Sequence, residues 1–198
     1  MTKDELLLPL YAARTDEVVV TCMGATRPWG RISDHDLDFA SADSAMGHTA
    51  DLALGIALAQ PHRKVLCLNG DGSMLMTLGT LATIVESRAR NLVLFVLENR
   101  CYEITGNQAI PGAGRINFPG LAEAAGFRRV YSFSRAEDYA VAVPELFSEK
   151  GPIFVGVEME RGREGPISRS AAEEARYLQT SLADWSRTFR AAITDSSR

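Results

Sequence analysis

The chain is 198 residues long, 46% hydrophobic and carries a formal net charge of −4, the make-up of one ordinary globular domain with a full-sized core. No basic tract offsets the negative balance, which argues against nucleic acid or an anionic membrane surface as partner. No apolar run approaches the ~20 residues of a membrane span.

Three cysteines, Cys22, Cys67 and Cys101, fall at or next to expected strand ends and lie too far apart for a metal-ligand spacing or a disulfide framework. With an N-terminus that is acidic where a signal peptide is basic, they imply a reducing cytoplasm.

Residues 4–14 carry Leu6, Leu7, Leu10 and Tyr11 at helical spacing. Residues 18–22 read as the first strand, running into Met23-Gly24-Ala25-Thr26. Residues 27–40 are polar and acidic without periodicity, so they read as a connector. His35 within it is either a proton shuttle, since its ordinary pKa is near neutral, or a surface histidine. After residue 41 order resumes, and His48 or Thr49 opens a helix rich enough in Ala and Leu to be packed on most sides.

Residues 65–68 form a short apolar strand that breaks at once on Gly70-Asp71-Gly72, and Leu78, Leu81, Ala82, Ile84 and Val85 then predict a helix over 77–86. A second apolar strand, 92–97, ends on Glu98-Asn99, with 25 residues between Gly72 and Glu98. Parallel pairing of these two strands sets Asp71 and Asn99 side by side at the sheet edge where ligands of open α/β sheets bind. Beyond lie a short helix at 120–126, a strand at 129–133, a helix at 135–149 interrupted at Pro144, and a strand at 153–157. Ala175, Leu178, Leu182, Trp185, Phe189 and Ile193 recur at steps of three and four, predicting one amphipathic helix over about 168–194 that docks on its own domain. The alternation of strands and helices predicts an α/β fold, a three-layer αβα sandwich on a mostly parallel sheet, in a single domain over 1–198.

Gly70-Asp71-Gly72 followed at this distance by an Asn-bearing strand end resembles the motif of thiamine diphosphate enzymes. The resemblance implies that Asp71, the Asn99 side-chain oxygen and the Cys101 carbonyl bind Mg²⁺, which clamps the cofactor's diphosphate; hard oxygen donors suit that ion. Gly70, Gly72, Ser73 and Tyr102 flank this set. Most relatives have Asn-Asn where this chain has Glu98-Asn99, which adds a negative charge nearby. The family's loop after the first strand also meets the diphosphate, and Ala25 and Thr26 hold the matching positions.

Ser44-Ala45-Met46-Gly47-His48 resembles the segment that sets a bulky apolar residue, here Met46, beneath the bent cofactor and offers a carbonyl, here that of Ser44, to its 4′-amino group. The order of this segment, the Ala/Leu helix, Pro61-x-x-Lys64-Val65 and Gly-Asp-Gly is most similar to phosphonopyruvate and sulfopyruvate decarboxylases. After Asn99 those families carry a His-containing version ending in Gly-Gly-Gln, where this chain has Tyr102-Glu103 and Gly106-Asn107-Gln108. Tyr102, Glu103 and Gln108 become substrate neighbours by position, and His48, Glu103 and Gln108 the possible catalytic groups. Glu103 reads equally well as a solvated surface carboxylate.

The implied protein is the cofactor-binding subunit of a 2-oxo-acid decarboxylase, a lyase. It would use thiamine diphosphate and Mg²⁺ in a hetero-oligomer such as a heterotetramer or larger. The partner, a pyrimidine-binding (PYR) domain subunit, would supply the activating Glu. Alternatives are a subunit of a carboligase or lyase with the same cofactor, a non-catalytic binding module of the same fold, and the small subunit of a ferredoxin-linked oxidoreductase. Against the last stand the dispersed cysteines, which suit no iron–sulfur cluster.

Overall fold

The computed structural model describes residues 1–41 and 46–194. In chain order the elements are α1 (Lys3–Ala13), β1 (Val18–Cys22), α2 (Met23–Ile32), β2 (Asp38–Ser41), α3 (Thr49–Ala59), β3 (Val65–Gly70), α4 (Asp71–Met76) and α5 (Thr80–Ser87). Then follow β4 (Leu92–Glu98), β5 (Cys101–Tyr102), a 3-10 turn (Glu103–Thr105), β6 (Gln108–Ala109), α6 (Phe118–Ala125), β7 (Arg129–Phe133), α7 (Ala136–Ser148), β8 (Ile153–Glu158), α8 (Arg176–Gln179) and α9 (Leu182–Thr194).

Six strands make one sheet in the order β2-β1-β3-β4-β8-β7, and every neighbouring pair is parallel. Strands covered on both faces need near-continuous apolar sequence. Val18, Val19 and Val20 of β1, and Leu92 to Val96 of β4, are accordingly buried throughout. The two-residue side-chain period splits each strand between two cores. Leu66 and Leu68 pack with Leu6, Leu10, Trp29, Tyr139 and Val143 from α1, α2 and α7. Val65 and Cys67 pack with Ala53, Leu54, Leu81, Ile84 and Ala122 from α3, α5 and α6. This is the three-layer α/β arrangement expected.

The tail differs from one long helix. Residues 159–175 cross the surface without regular structure, α8 is four residues long, and α9 begins at Leu182. Trp185 enters the first core and Phe189 the second, so α9 wraps the edge of the sheet. Trp185 Nε1 donates to the Asp38 carbonyl at 2.8 Å, which covers the exposed edge of β2. The apolar stripe is therefore consumed within the domain.

Several boundaries depart from the sequence reading. Residues 27–40 are not a connector but most of α2, a turn and the start of β2. The buried residues of α2 (Ala25, Thr26, Pro28, Trp29) include a proline and are followed by Gly30, which hide a helical period. Gly-Asp-Gly leads straight into α4, which stops at Thr77 before α5 begins. Pro144 does not interrupt α7; both it and Ala140, whose carbonyl its ring leaves unpaired, are exposed. Cys67 lies in the middle of β3 rather than near its end. Among the described residues no helix is long and apolar enough to cross a membrane.

Candidate functional site

From β1 the chain passes to β2 on one side and then to β3 on the other, so the strand order reverses there and the carboxyl ends of the strands part. A cavity of about 290 Å³ opens at that point. Its walls are Cys22, Gly24 and Ala25 after β1, Ser41 at the end of β2, Met46 and Gly47, and residues 70–73 after β3. Leu97, Asn99, Cys101 and Tyr102 close it on the β4 side, and Glu103, Lys3, Met159 and Glu160 also line it.

Asp71 is 1% exposed. Its Oδ1 accepts the Gly72 N–H at 2.7 Å and its Oδ2 the Arg100 N–H at 2.6 Å. Burial pushes its carboxyl up to about 6, against the pull of these backbone donors. Register pairs Gly70 with Leu97, so Asn99 flanks the same edge. Asn99 Oδ1 accepts the Cys101 N–H at 3.1 Å, and Nδ2 donates to Glu103 Oε2 at 3.1 Å. A side chain at Gly72 would meet the Tyr102 ring at 2.7 Å, so that close approach requires glycine. Ser73 Oγ is buried and has no hydrogen-bond partner among the described residues.

This donor set fits a divalent cation shared with a phosphate. The oxygens of Asp71 and Asn99 are hard, and each retains a lone pair beyond its backbone bond. A desolvated carboxylate favours a cation beside it, and the orphaned Ser73 hydroxyl beside Asp71 suits a phosphate oxygen. Among the described residues no group of three His, Cys, Asp or Glu side chains could hold a metal. An ion here would thus draw its remaining ligands from backbone, phosphate and water, as Mg²⁺ does.

The other predicted site residues separate into two groups. Ala25, Met46, Gly47, Gly70, Cys101, Tyr102 and Glu103 line the cavity. Thr26 does not: its hydroxyl is turned inward, against Thr21 Oγ1 (3.1 Å) and the Cys22 carbonyl (3.0 Å). His48 is exposed and pairs with Asp51 Oδ2 at 2.5 Å, and Gln108 folds back on Thr105; neither lines the cavity. His35 Nδ1 accepts the Leu37 N–H at 3.0 Å, away from this region. Ser44 lies outside the described residues.

The two glutamates near the site contradict simple expectation. Glu103 is no solvated surface carboxylate: it is 6% exposed, and its Oε1 accepts from Lys3 Nζ at 2.6 Å and the Glu164 N–H at 2.9 Å. Glu98 does not line the cavity; its Oε1 lies over Gly156, where a Cβ would meet it at 2.8 Å. Burial, reinforced by the charges of Asp71 and Glu158, pushes Glu98 up to about 7. Lys3, Met159 and Glu160 went unseen in the sequence because nothing local marks them: Lys3 lies 100 positions from its partner.

Residues 33–157 match the family described as thiamine pyrophosphate enzyme, C-terminal TPP binding domain. The chain is 32% identical over 180 residues to a phosphonopyruvate decarboxylase of Streptomyces viridochromogenes, covering 90% of this chain and 43% of that protein. It is 35% identical over 161 residues to sulfopyruvate decarboxylase subunit beta of Methanothermobacter thermautotrophicus, covering 80% of this chain and 83% of that subunit. The chain thus spans less than half of the first relative and most of the second. A thiamine diphosphate-dependent 4-hydroxybenzoylformate decarboxylase from Rhodococcus jostii shares the fold, with a TM-score of 0.67 and 21% identity over 83% of this chain and 33% of that one. By its match over residues 33–157 and its likeness to both decarboxylases, the chain belongs to the thiamine pyrophosphate enzyme family, as its C-terminal TPP-binding domain.

Proposed function

We propose that the chain is the thiamine diphosphate- and Mg²⁺-binding subunit of a two-subunit decarboxylase acting on a small acidic 2-oxo acid of the sulfopyruvate or phosphonopyruvate type. The observation that carries this reading is the buried Asp71 beside Asn99 and the unpartnered Ser73 hydroxyl, at the point where the strand order reverses. Asp71, the Asn99 side-chain oxygen and the Cys101 carbonyl hold the ion; Ser73 Oγ and the backbone at Gly72 meet the diphosphate. Ala25 leaves room for it where β1 gives way to α2. Met46 supports the cofactor from below, and Leu97, Met76 and Ile104 keep water from its reactive end. When bound, thiamine diphosphate supplies the electron sink that a 2-oxo acid needs in order to lose carbon dioxide. A pyrimidine-binding subunit brings the carboxylate that activates it. The free Cys22, Cys67 and Cys101 suit a reducing cytoplasm.

The test is calorimetric titration of the full chain, alone and with its pyrimidine-binding partner, with thiamine diphosphate in the presence and absence of Mg²⁺. Mg²⁺-dependent binding that Asp71→Ala removes supports the reading. Binding that ignores the metal or the substitution overturns it.

A further inference from the structure

The Lys3–Glu103 ion pair does no work in the reading above, yet it is built into the cavity wall. The Lys3 side chain is 18% exposed and that of Glu103 3%. Withdrawing two charges from water is costly unless their remaining hydrogen-bonding capacity is met. For Glu103 it is met: its Oε1 takes Lys3 Nζ and the Glu164 N–H, and Oε2 takes Asn99 Nδ2. Four segments therefore converge on one carboxylate: the first turn of α1, the end of β4, the 3-10 turn and the stretch after β8. The α1 end is fixed by a reciprocal cap, Thr2 Oγ1 accepting the Glu5 N–H and Glu5 Oε2 accepting the Thr2 N–H.

We propose that Glu103, held by Lys3 and seated over Gly162, is a positioning residue that fixes which end of the Asn99 amide faces the metal site. The proposal rests on the reading of Asn99 as a metal ligand. The two ends of an Asn amide differ little in shape, so the neighbours decide which way it points. A carboxylate only accepts, so Glu103 draws Nδ2 toward itself and sends Oδ1 the other way. There Oδ1 meets the Cys101 N–H and keeps a lone pair for a cation. Outer partners of this kind orient metal ligands, and their loss costs about 10–100-fold in metal affinity. Lys3 contributes a second effect by neutralising a carboxylate that would otherwise stand in the same cavity as a diphosphate.

Gly162 leaves the space in which this happens. A Cβ there would overlap Glu103 Oε1 and sit 2.5 Å from both Glu103 Cδ and Lys3 Nζ. Its nearest neighbours are thus the far ends of two flexible side chains, and its backbone needs no left-handed conformation. Gly162→Ala displaces the ion pair without touching a charge, and spares the fold.

The experiment measures Mg²⁺ affinity at a fixed thiamine diphosphate concentration, by calorimetry on the full chain with its partner, together with the Tm of each unliganded variant. Glu103→Gln should weaken Mg²⁺ binding about tenfold or more. Gly162→Ala should match that loss with its Tm nearly unchanged, and Lys3→Arg should hold affinity better than Lys3→Met. If Glu103→Gln and Gly162→Ala bind Mg²⁺ as the parent does, whatever their Tm, the pair is only structural and the inference fails. Should Glu103→Gln not fold, Gly162→Ala decides alone. Asp71→Ala separates the two levels: if it too keeps parental Mg²⁺ affinity, the metal reading has failed and takes the inference with it. If it alone loses affinity, only the role of Glu103 is refuted.

Discussion

At the scale of the residue, Asp71 is a liability in the unliganded fold. It is buried, takes two backbone N–H bonds, and still has its carboxyl pushed up to about 6. A buried carboxylate at a strand-end cleft suits a cation beside it. Asp71→Ala should therefore abolish Mg²⁺-dependent binding of thiamine diphosphate while leaving the unliganded Tm equal or higher. Calorimetry and a thermal melt on one preparation check both halves, and a variant that lost Tm and kept binding would reverse the argument. Met46 poses the opposite case. It is 60% exposed at the cavity wall, so it contributes little to the fold alone, and as a prop it sets geometry rather than attraction. Met46→Ala should leave cofactor affinity within a few-fold and lower kcat by up to about a hundredfold. Steady-state kinetics beside a binding isotherm will tell these apart, since equal losses in both would make Met46 a binding contact.

At the scale of the element, the tie between α1, α2, β2 and α9 runs through one buried acid. Asp38 Oδ1 receives Trp29 Nε1 at 2.9 Å and pairs with Arg14 Nη1 at 2.7 Å; Oδ2 accepts from Ser33 Oγ at 2.6 Å. The Asp38 carbonyl takes Trp185 Nε1, and Arg14 lies over the Trp29 ring at 5.6 Å. Asp38→Ala would leave the Arg14 guanidinium, whose side chain is 4% exposed, with only the neutral Glu17 carbonyl and Ser33 Oγ as hydrogen-bond partners, and should cost about 3–5 kcal/mol. Urea unfolding measures this; a loss below about 1 kcal/mol would mean that water reaches the Arg14 guanidinium.

The same acid marks what could be read from the sequence and what could not. β1, β3 and β4 were legible because a strand buried on both faces must be apolar along its length. Asp71 and Asn99 were legible because strand ends one crossover apart meet at one edge. Asp38 looked like one solvated acid among several, since its burial depends on Arg14, Trp29 and Ser33. Lys3 escaped, and Glu103 was legible as a site candidate without its burial or its partners, for the same reason: the worth of a charge inside a fold is set by a partner far along the chain. Residues 159–167 carried no period, and 168–175, expected as the start of the tail helix, are irregular too; the stretch is held by side-chain pairs such as Arg27 with Glu173 at 2.6 Å and Arg31 with Glu164 at 2.9 Å.

At the scale of the whole molecule, the cleft where the chain reverses between β2 and β3 is small. About 290 Å³ sits at the lower end of the ~300–1,000 Å³ typical of sites that enclose a small ligand. A cofactor carrying a diphosphate, a thiazolium ring and a pyrimidine ring exceeds that space, and the proposed partner subunit would cover the rest. Met46 and Met76, 60% and 45% exposed, stand at the cavity wall as apolar area for such a contact. The Trp185–Phe189 stripe, expected to dock on its own domain, is buried in the domain's own cores and takes no part. The lone chain should therefore show no measurable decarboxylation of 2-oxo acids with Mg²⁺ and thiamine diphosphate, and turnover should appear on adding a pyrimidine-binding subunit. On the proposed reading the activating carboxylate would be the partner's, since Glu103 in the cavity wall is engaged by Lys3, Glu164 and Asn99. The assay is carbon dioxide release from several 2-oxo acids before and after the partner is added. Full turnover by the chain alone would refute the split arrangement, and its loss in Glu103→Gln would then assign the activating role to Glu103 itself.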